Sequence, residues 1–508
     1  MANSRTAKSI KNSFVSLSFY FVNLVVSFIS RKIFLDYLGA EILGLNTTAQ
    51  SILQFLNLAE LGIGSAVGYF LYKPLRENDI DSINEIVTLQ GILYKRIASI
   101  IIICSIVILP FFPVFFKKID LPLWYAYASF GAFLFSSLLG YFVNYRQIVL
   151  TANQQNYKVQ YSYQSITVLR YLAQIYVVSQ LEHPFIWWLI VLIVFSLIGS
   201  WSLHLMTKKT FPFLKHSGHT YKDLKLKYPD FSTKIKQLFF HKIGGFVLTQ
   251  SSTLIIYAYA NLTLVAYYGN YMMIITGVSL LISALFNSVD AGIGNLVAEG
   301  NRSKIQTVFK EMFSLRFAIS MIVCFGVYYL TPLFIQLWIG EEYLLPSSTL
   351  ALMTAILYIG IFRYAVDSFI SAFGLFSDVG SPIIEATLNI GLSILLGYYY
   401  GLNGILTGVL FSLIIVICCW KPYFLFCRGL HVSIINFIRL YLKDIIVGIC
   451  AWVMTVWLIN HISLTIHNSV IHFIVKAIII ELIFSIILCS GLILTKSGLE
   501  LFIKRFIR

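Results

Sequence analysis

Charge is scarce in this chain. Charged residues make up 12% of its 508 positions, and acids are the rarer sign, with 22 Asp and Glu against 37 Lys and Arg. That share is about half of what a soluble protein carries, so there is too little of it to cover a water-facing surface. Cysteine is sparse and unpatterned: Cys104, Cys324, Cys418, Cys419, Cys427, Cys450 and Cys489 lie within apolar stretches or at their ends and form no CxxC or CxxH. They read as small packing residues, not as metal ligands or a redox pair. P-loop, HExxH and GxSxG signatures are lacking too, so no catalytic residue and no metal site is assigned. The one DxD, Asp79–Asp81, sits in a loop too short to carry a nucleotide-binding domain. No small-residue cleavage site follows Met1–Asn12, and the first apolar segment is expected to remain in the protein.

What is abundant is apolar sequence, 58% of the chain. A bilayer core of about 30 Å takes roughly 20 apolar residues per helix, and that signal recurs along the whole length. The reading is an all-α polytopic membrane protein with about fourteen transmembrane helices. Their expected extents are 14–33, 43–72, 89–115, 123–150, 161–180 and 184–206, then 239–260, 266–298, 312–337, 347–372, 383–400, 402–426, 438–460 and 470–494. The fifth and seventh give the weakest signals.

The excess of basic residues is placed by loop, as the positive-inside rule expects, and not as a nucleic-acid surface. An even number of spans puts both termini on one side, where Arg5, Lys8 and Lys11 match Lys504, Arg505 and Arg508. That side is expected to be the cytoplasm of a bacterial cell, with Lys73, Arg76, Lys95, Arg96, Lys158, Arg302, Lys304, Lys310, Lys421, Arg428 and Lys443 on it. The longest connection, from Thr207 to Lys242, is rich in lysine and is expected to lie as a basic linker on anionic lipid. It divides the chain into an N-terminal lobe 1–206, the linker 207–242, a C-terminal lobe 243–426 and two additional helices in 427–508.

The chain also repeats itself. Shifted by 230 positions, 37–67 meets 267–297 without a gap: Tyr37, Gly39, Asn57, Gly62, Ile63, Gly64 and Val67 fall on Tyr267, Gly269, Asn287, Gly292, Ile293, Gly294 and Val297, and Glu60 falls on Asp290. Identities on Gly, Asn and an acid are not what apolar bias alone produces, so the halves are duplicates, and the offset makes them run parallel. Helical spacing then gathers Asn46, Gln50, Gln54, Asn57, Glu60 and Gly64 into one polar stripe, repeated by Thr276, Ser279, Ser283, Asn287, Asp290 and Gly294. Lipid does not tolerate such a stripe; it faces either a neighbouring helix or a wet cavity, and the matched acids favour the cavity.

Other polar residues inside the spans agree. Asn12, Ser16, Asn23, Ser27 and Arg31 share a face of the first helix, and Gln160, Thr167, Arg170 and Gln174 share one of the fifth. Arg170, near mid-membrane, needs a counter-ion, either Glu60 or Glu385 or an anionic ligand. Arg363 and Asp367, four apart, are placed to neutralise each other. Lys476 and Glu481 look peripheral, and the steps Gly64–Gly68, Gly397–Gly401 and Gly404–Gly408 read as close helix packing.

The stretch from Phe34 to Asn46, FLDYLGAEILGLN, followed by ELGIGSA from Glu60 to Ala66, resembles the opening of polysaccharide flippases of the Wzx type, in the multidrug/oligosaccharidyl-lipid/polysaccharide exporter superfamily. Arg146, Ala152, Gln154 and Tyr157 resemble the loop after that family's fourth helix. The resemblance implies two pseudo-symmetric six-helix lobes plus two C-terminal helices, a central cavity open alternately to each side, and an undecaprenyl-pyrophosphate-linked oligosaccharide repeat unit as cargo for capsule or exopolysaccharide synthesis. Membrane lipids and the polysaccharide polymerase machinery are then the expected partners, and no cofactor is called for beyond coupling to a proton or sodium gradient. On this basis Arg31, Asn46, Asn57, Arg170, Asn287 and Arg363 are the candidate substrate-binding residues, and Glu60, Asp290, Asp367 and Glu385 the candidate coupling residues. A lipid II flippase, a cation-coupled multidrug exporter and a membrane glycosyltransferase are the rivals. The drug exporter would favour an acidic lumen with few arginines, and the transferase is disfavoured by short outer loops.

Overall fold

A computed structural model describes residues 5–117, 120–375, 378, 380–461 and 469–507; some side chains inside its helices, among them those of Asn287 and Asp290, lie outside the description. Among the described residues the regular structure is all helical. Each expected span falls on a helix, and the places where the chain departs from straight rods are instructive. Among the described residues nine helices are long and apolar enough to cross a membrane, or ten with the bent pair Trp124–Phe142 and Asn144–Ala152, which turns by 56°. Two of these run through what the sequence divides in two. Arg5–Leu56 is kinked at Gly39 (φ 80°, ψ 170°), and Gly380–Leu413 at Gly401 (φ 56°, ψ −135°). Both angles lie where a Cβ is disfavoured. The fifth and seventh spans, Ser165–Gln180 and Asp230–Tyr259, are the ones absent from the apolar set, the former preceded by a π turn over Gln160–Gln164.

The second span is not continuous. After Leu56 the chain tightens into a 3₁₀ turn, Asn57–Glu60, passes through Gly62 at φ 95° and starts a new helix, Ile63–Glu77. A Cβ on Gly62 would sit 2.9 Å from the Ile235 carbonyl oxygen and 2.9 Å from the Phe239 nitrogen, so Asp230–Tyr259 crosses directly over the break. The expected single stripe from Asn46 to Gly64 is therefore divided. Its duplicate stays helical throughout, in Leu262–Ala298, so the two copies of the repeat adopt different backbones.

The chain forms two compact units, Met1–Ala266 and Tyr267–Arg508. In the first, Ile80–Ile108 buries Ile83, Ile86, Ile97, Ala98 and Ile101 while presenting Ile100, Ile103, Ile106 and Val107 outward, an apolar surface made for lipid. In the second, Arg302–Trp338 supplies Phe309, Phe313, Phe317 and Phe325 to an aromatic core shared with Phe362, Phe369, Phe426 and Phe484. Phe325 stacks on Phe484 at 4.0 Å between ring centroids and 4° between planes. The C-terminal helices Ile434–Asn460 and Ser469–Leu494 are thus built into this core. Glu481 is not peripheral: its carboxylate lies against Gly326, where a larger residue would displace it. Of the glycine steps, Gly404–Gly408 behaves as expected, since a Cβ at either would strike the backbone of Leu396 or of Leu392–Ser393, whereas Gly64 and Gly68 face only side chains at 3.6 and 3.9 Å and Gly401 has nothing within 4 Å.

The basic connection is folded onto protein. Pro184–Thr210 runs on past the expected helix end, and a short helix, Tyr221–Lys227, starts at a capping box between Thr220 and Asp223. Asn84 binds the connection through both ends of its amide, donating to the Phe213 carbonyl (3.2 Å) and accepting from the Lys215 N–H (2.9 Å). Glu85 accepts from Lys227 (2.8 Å) and Tyr228 (2.8 Å), and Arg96 lies 4.0 Å over the Tyr221 ring. The bond from Glu85 raises the Lys227 ammonium above its ordinary range. A linker spread on lipid would not make these contacts; segment 213–228 is docked on Ile80–Ile108.

Candidate functional site

The break in the second span is where the polar side chains of the first unit converge. Glu60, ending the 3₁₀ turn, receives one hydroxyl on each carboxylate oxygen: Tyr94 donates to Oε1 (2.8 Å) and Tyr141 to Oε2 (2.8 Å). Tyr141 also reaches Asn57 Oδ1 (3.1 Å), and the Asn57 amide nitrogen donates to Ser137 (3.3 Å). These residues, with Gln90, line a cavity of about 180 Å³. Glu60 is only partly buried and the cavity wall carries neutral oxygens beside one carboxylate. That donor set suits exchange of a proton or a single small cation; among the described residues no cluster of three or more His, Cys, Asp or Glu is arranged for a firmly held metal.

A cationic site lies elsewhere in the same unit. The Arg170 guanidinium packs 5.1 Å from the centre of the Tyr171 ring, and Arg31, on the first helix, is within electrostatic reach of Tyr171. Arg170 Nε is buried without a hydrogen-bond partner, and no carboxylate pairs with Arg170 among the described residues. Glu60, one counter-ion offered by the sequence, is engaged by the two tyrosines.

Asn46 has a different setting. It is 4% exposed and its Oδ1 accepts from Ser129 (2.6 Å), a bond between packed helices. Asn12 ties the first helix to the loop around Gln154, donating to the Gln154 carbonyl (2.8 Å) and accepting from the Tyr157 N–H (3.0 Å).

In the second unit four charges meet. Asp367 accepts from Arg363 Nε (2.8 Å) and from Lys421 Nζ (2.7 Å), and Arg363 Nη1 stands 3.8 Å from Glu385, which is 3% exposed. The expected Arg363–Asp367 pair is present, enlarged by Lys421 and Glu385 from two other helices. The sequence placed Lys421 at the inner end of a span and overlooked Tyr94 and Tyr141; the latter two left a faint signal, Gln90–Tyr94 and Tyr141–Tyr145 at one-turn spacing in apolar segments. The side chains of Asn287 and Asp290, called as the second half's counterparts, are outside the described residues.

Many long apolar helices, with charged residues gathered among them at a few points, define a multi-pass membrane protein. Its fold is that of known exporters. A solved structure of the lipid II flippase MurJ in an inward closed conformation superposes with a TM-score of 0.63 at 15% identity, covering 98% of this chain and 100% of that one. An inward-facing multidrug resistance MATE transporter of the MOP superfamily gives 0.59 at 14% identity over 81% of this chain and 97% of its own, and an outward-facing one gives 0.52 at 14% identity over 82% and 95%. No protein-family model and no curated protein sequence matches.

Proposed function

We propose that this protein is a flippase that carries an undecaprenyl-pyrophosphate-linked oligosaccharide repeat unit from the cytoplasmic to the outer leaflet of a bacterial cell membrane, by alternating access, for capsule or exopolysaccharide synthesis. The observation that carries the reading is Arg170, a guanidinium inside a span with a buried Nε that has no hydrogen-bond partner and no carboxylate paired to it among the described residues. Two arginines in an apolar setting match a pyrophosphate, whose oxygens accept forked, charge-assisted hydrogen bonds. The extent of the fold supports a lipid-linked cargo over a drug: the flippase likeness takes in 98% of the chain, whereas the MATE likeness leaves out a share the size of the C-terminal helix pair. A lipid II flippase would use the same cationic chemistry and differ in head group.

The test is chemical. Deleting the gene is expected to leave its lipid-linked cargo on the inner leaflet, and mass analysis of extracted polyprenyl pyrophosphates names the sugar. A repeat-unit oligosaccharide supports the reading, a muropeptide replaces it with the lipid II alternative, and an unchanged lipid pool rejects both.

Glu60 is the coupling residue in this proposal, exchanging a proton or sodium ion between its two tyrosines. Glu60→Gln keeps the shape, accepting one hydroxyl on its oxygen and donating its NH2 to the other, but fixes the charge at zero. It is expected to leave transport in proteoliposomes insensitive to an imposed proton or sodium gradient. Undiminished gradient dependence in this variant would remove Glu60 from that role.

A further inference from the structure

A second cavity, of about 230 Å³, opens in the unit Tyr267–Arg508. Three connections meet there: the turn before Arg302–Trp338, the segment after Tyr364–Ala372, and the end of the helical run that closes at Leu430. Its polar lining is Arg302, Gln306, Arg428 and His431 beside Phe373 and Ile305, and among the described residues no carboxylate lines it. Neither Arg302 nor Arg428 has an ion-pair partner among the described residues, although Lys304, two residues from Arg302, is paired with Glu299 at 2.7 Å. Glu299 is thus paired with a lysine that does not line the cavity, and the two forked cations that do line it are solvent-exposed and free of an ion pair among the described residues.

Helix ends do not account for this. The cavity lies beside the start of one helix and the end of another, whose partial charges are of opposite sign. The net positive character comes from the side chains. His431, held at φ 52°, closes the rim as the left-handed cap of the second helix. The charge pattern puts all three connections on the cytoplasmic side, where the leaflet is anionic and phosphate esters are plentiful.

We infer that this cavity is a binding site for a phosphate ester, held by Arg302 and Arg428, and distinct from the sites inside the spans. The chemistry is common to an anionic phospholipid head group and to soluble phosphate, so the experiment separates them. The full chain is purified into nanodiscs of phosphatidylglycerol mixed with phosphatidylcholine, and co-retained lipid is counted by native mass spectrometry. In parallel, inorganic phosphate and pyrophosphate are titrated calorimetrically against protein in phosphatidylcholine alone. The wild type is expected to retain phosphatidylglycerol selectively. Arg302→Ala with Arg428→Ala should lower that retention roughly thirtyfold, and Arg302→Lys with Arg428→Lys should lose less, because charge remains while the fork is lost. Binding of phosphate by the wild type but not by the double alanine variant, without lipid selectivity, would assign the site to a soluble ester. Equal retention and equal phosphate binding in the double alanine variant would overturn the proposal. So would an equal loss in Lys208→Ala with Lys209→Ala, which removes two exposed cations far along the sequence and reports on surface charge alone.

Discussion

Replacing Arg170 with alanine is expected to abolish surface polysaccharide while leaving the amount of protein in the membrane unchanged. Arg170 has no carboxylate to satisfy among the described residues, so its removal strands no buried acid and costs the fold a ring contact with Tyr171; on the proposed function, what disappears is a donor for a pyrophosphate. Loss of one charge-assisted bond corresponds to roughly ten- to hundredfold weaker cargo recognition, read as the rate of head-group transfer in proteoliposomes together with an immunoblot of membranes. Arg170→Lys retains the charge without the planar fork and should fall between the two. Arg31→Ala should act in the same direction with a smaller effect. Wild-type export from an Arg170→Ala strain at normal protein level would take the residue out of the site.

The opposite outcome is expected for Asp367. This carboxylate neutralises Arg363 and Lys421 at once, at 2.8 and 2.7 Å, in a setting that is 22% exposed. Asp367→Ala leaves two cations facing each other with only Glu385 nearby, 3.8 Å from Arg363. Removing one partner of a buried ionic group costs about 3–5 kcal/mol, so the purified variant should unfold at markedly lower temperature or fail to accumulate. Asp367→Leu combined with Lys421→Met restores balance between Arg363 and Glu385 and is expected to recover much of the stability. Comparable melting of wild type and Asp367→Ala would show that the cluster contributes little to folding. Arg170 and Asp367 are both charged residues inside spans, and their expected phenotypes separate recognition from structure.

The contrast also shows what the sequence could and could not disclose. Spans were legible because a bilayer imposes its length on every one of them, and the Arg363–Asp367 pair was legible because one helical turn brings the two together. The partners of Glu60 were not. Tyr94 and Tyr141 come from helices far along the chain, and hydroxyl-bearing aromatics are as common at membrane interfaces as at ionic sites. Lys421 looked like another inner-side cation until folding set it against Asp367. The lysine-rich connection misled for a related reason: its charge is consistent with lipid, but Asn84 and Glu85 on a distant helix give it a protein partner. The broken second span was hidden most deeply. Gly62 and Gly292 occupy matching places in the repeat, yet only the first marks a break, where Asp230–Tyr259 crosses. Tertiary contact, not local sequence, decided between them.

That break carries an obligation of its own. An interrupted ladder inside hydrocarbon leaves amide and carbonyl groups that lipid cannot satisfy, and such a gap survives only where water or polar side chains reach it. The turn from Asn57 to Gly62 is met by the polar side chains that line the cavity beside Glu60. The intact duplicate helix makes no such demand, so a twofold-repeated chain carries this need in one copy of its backbone.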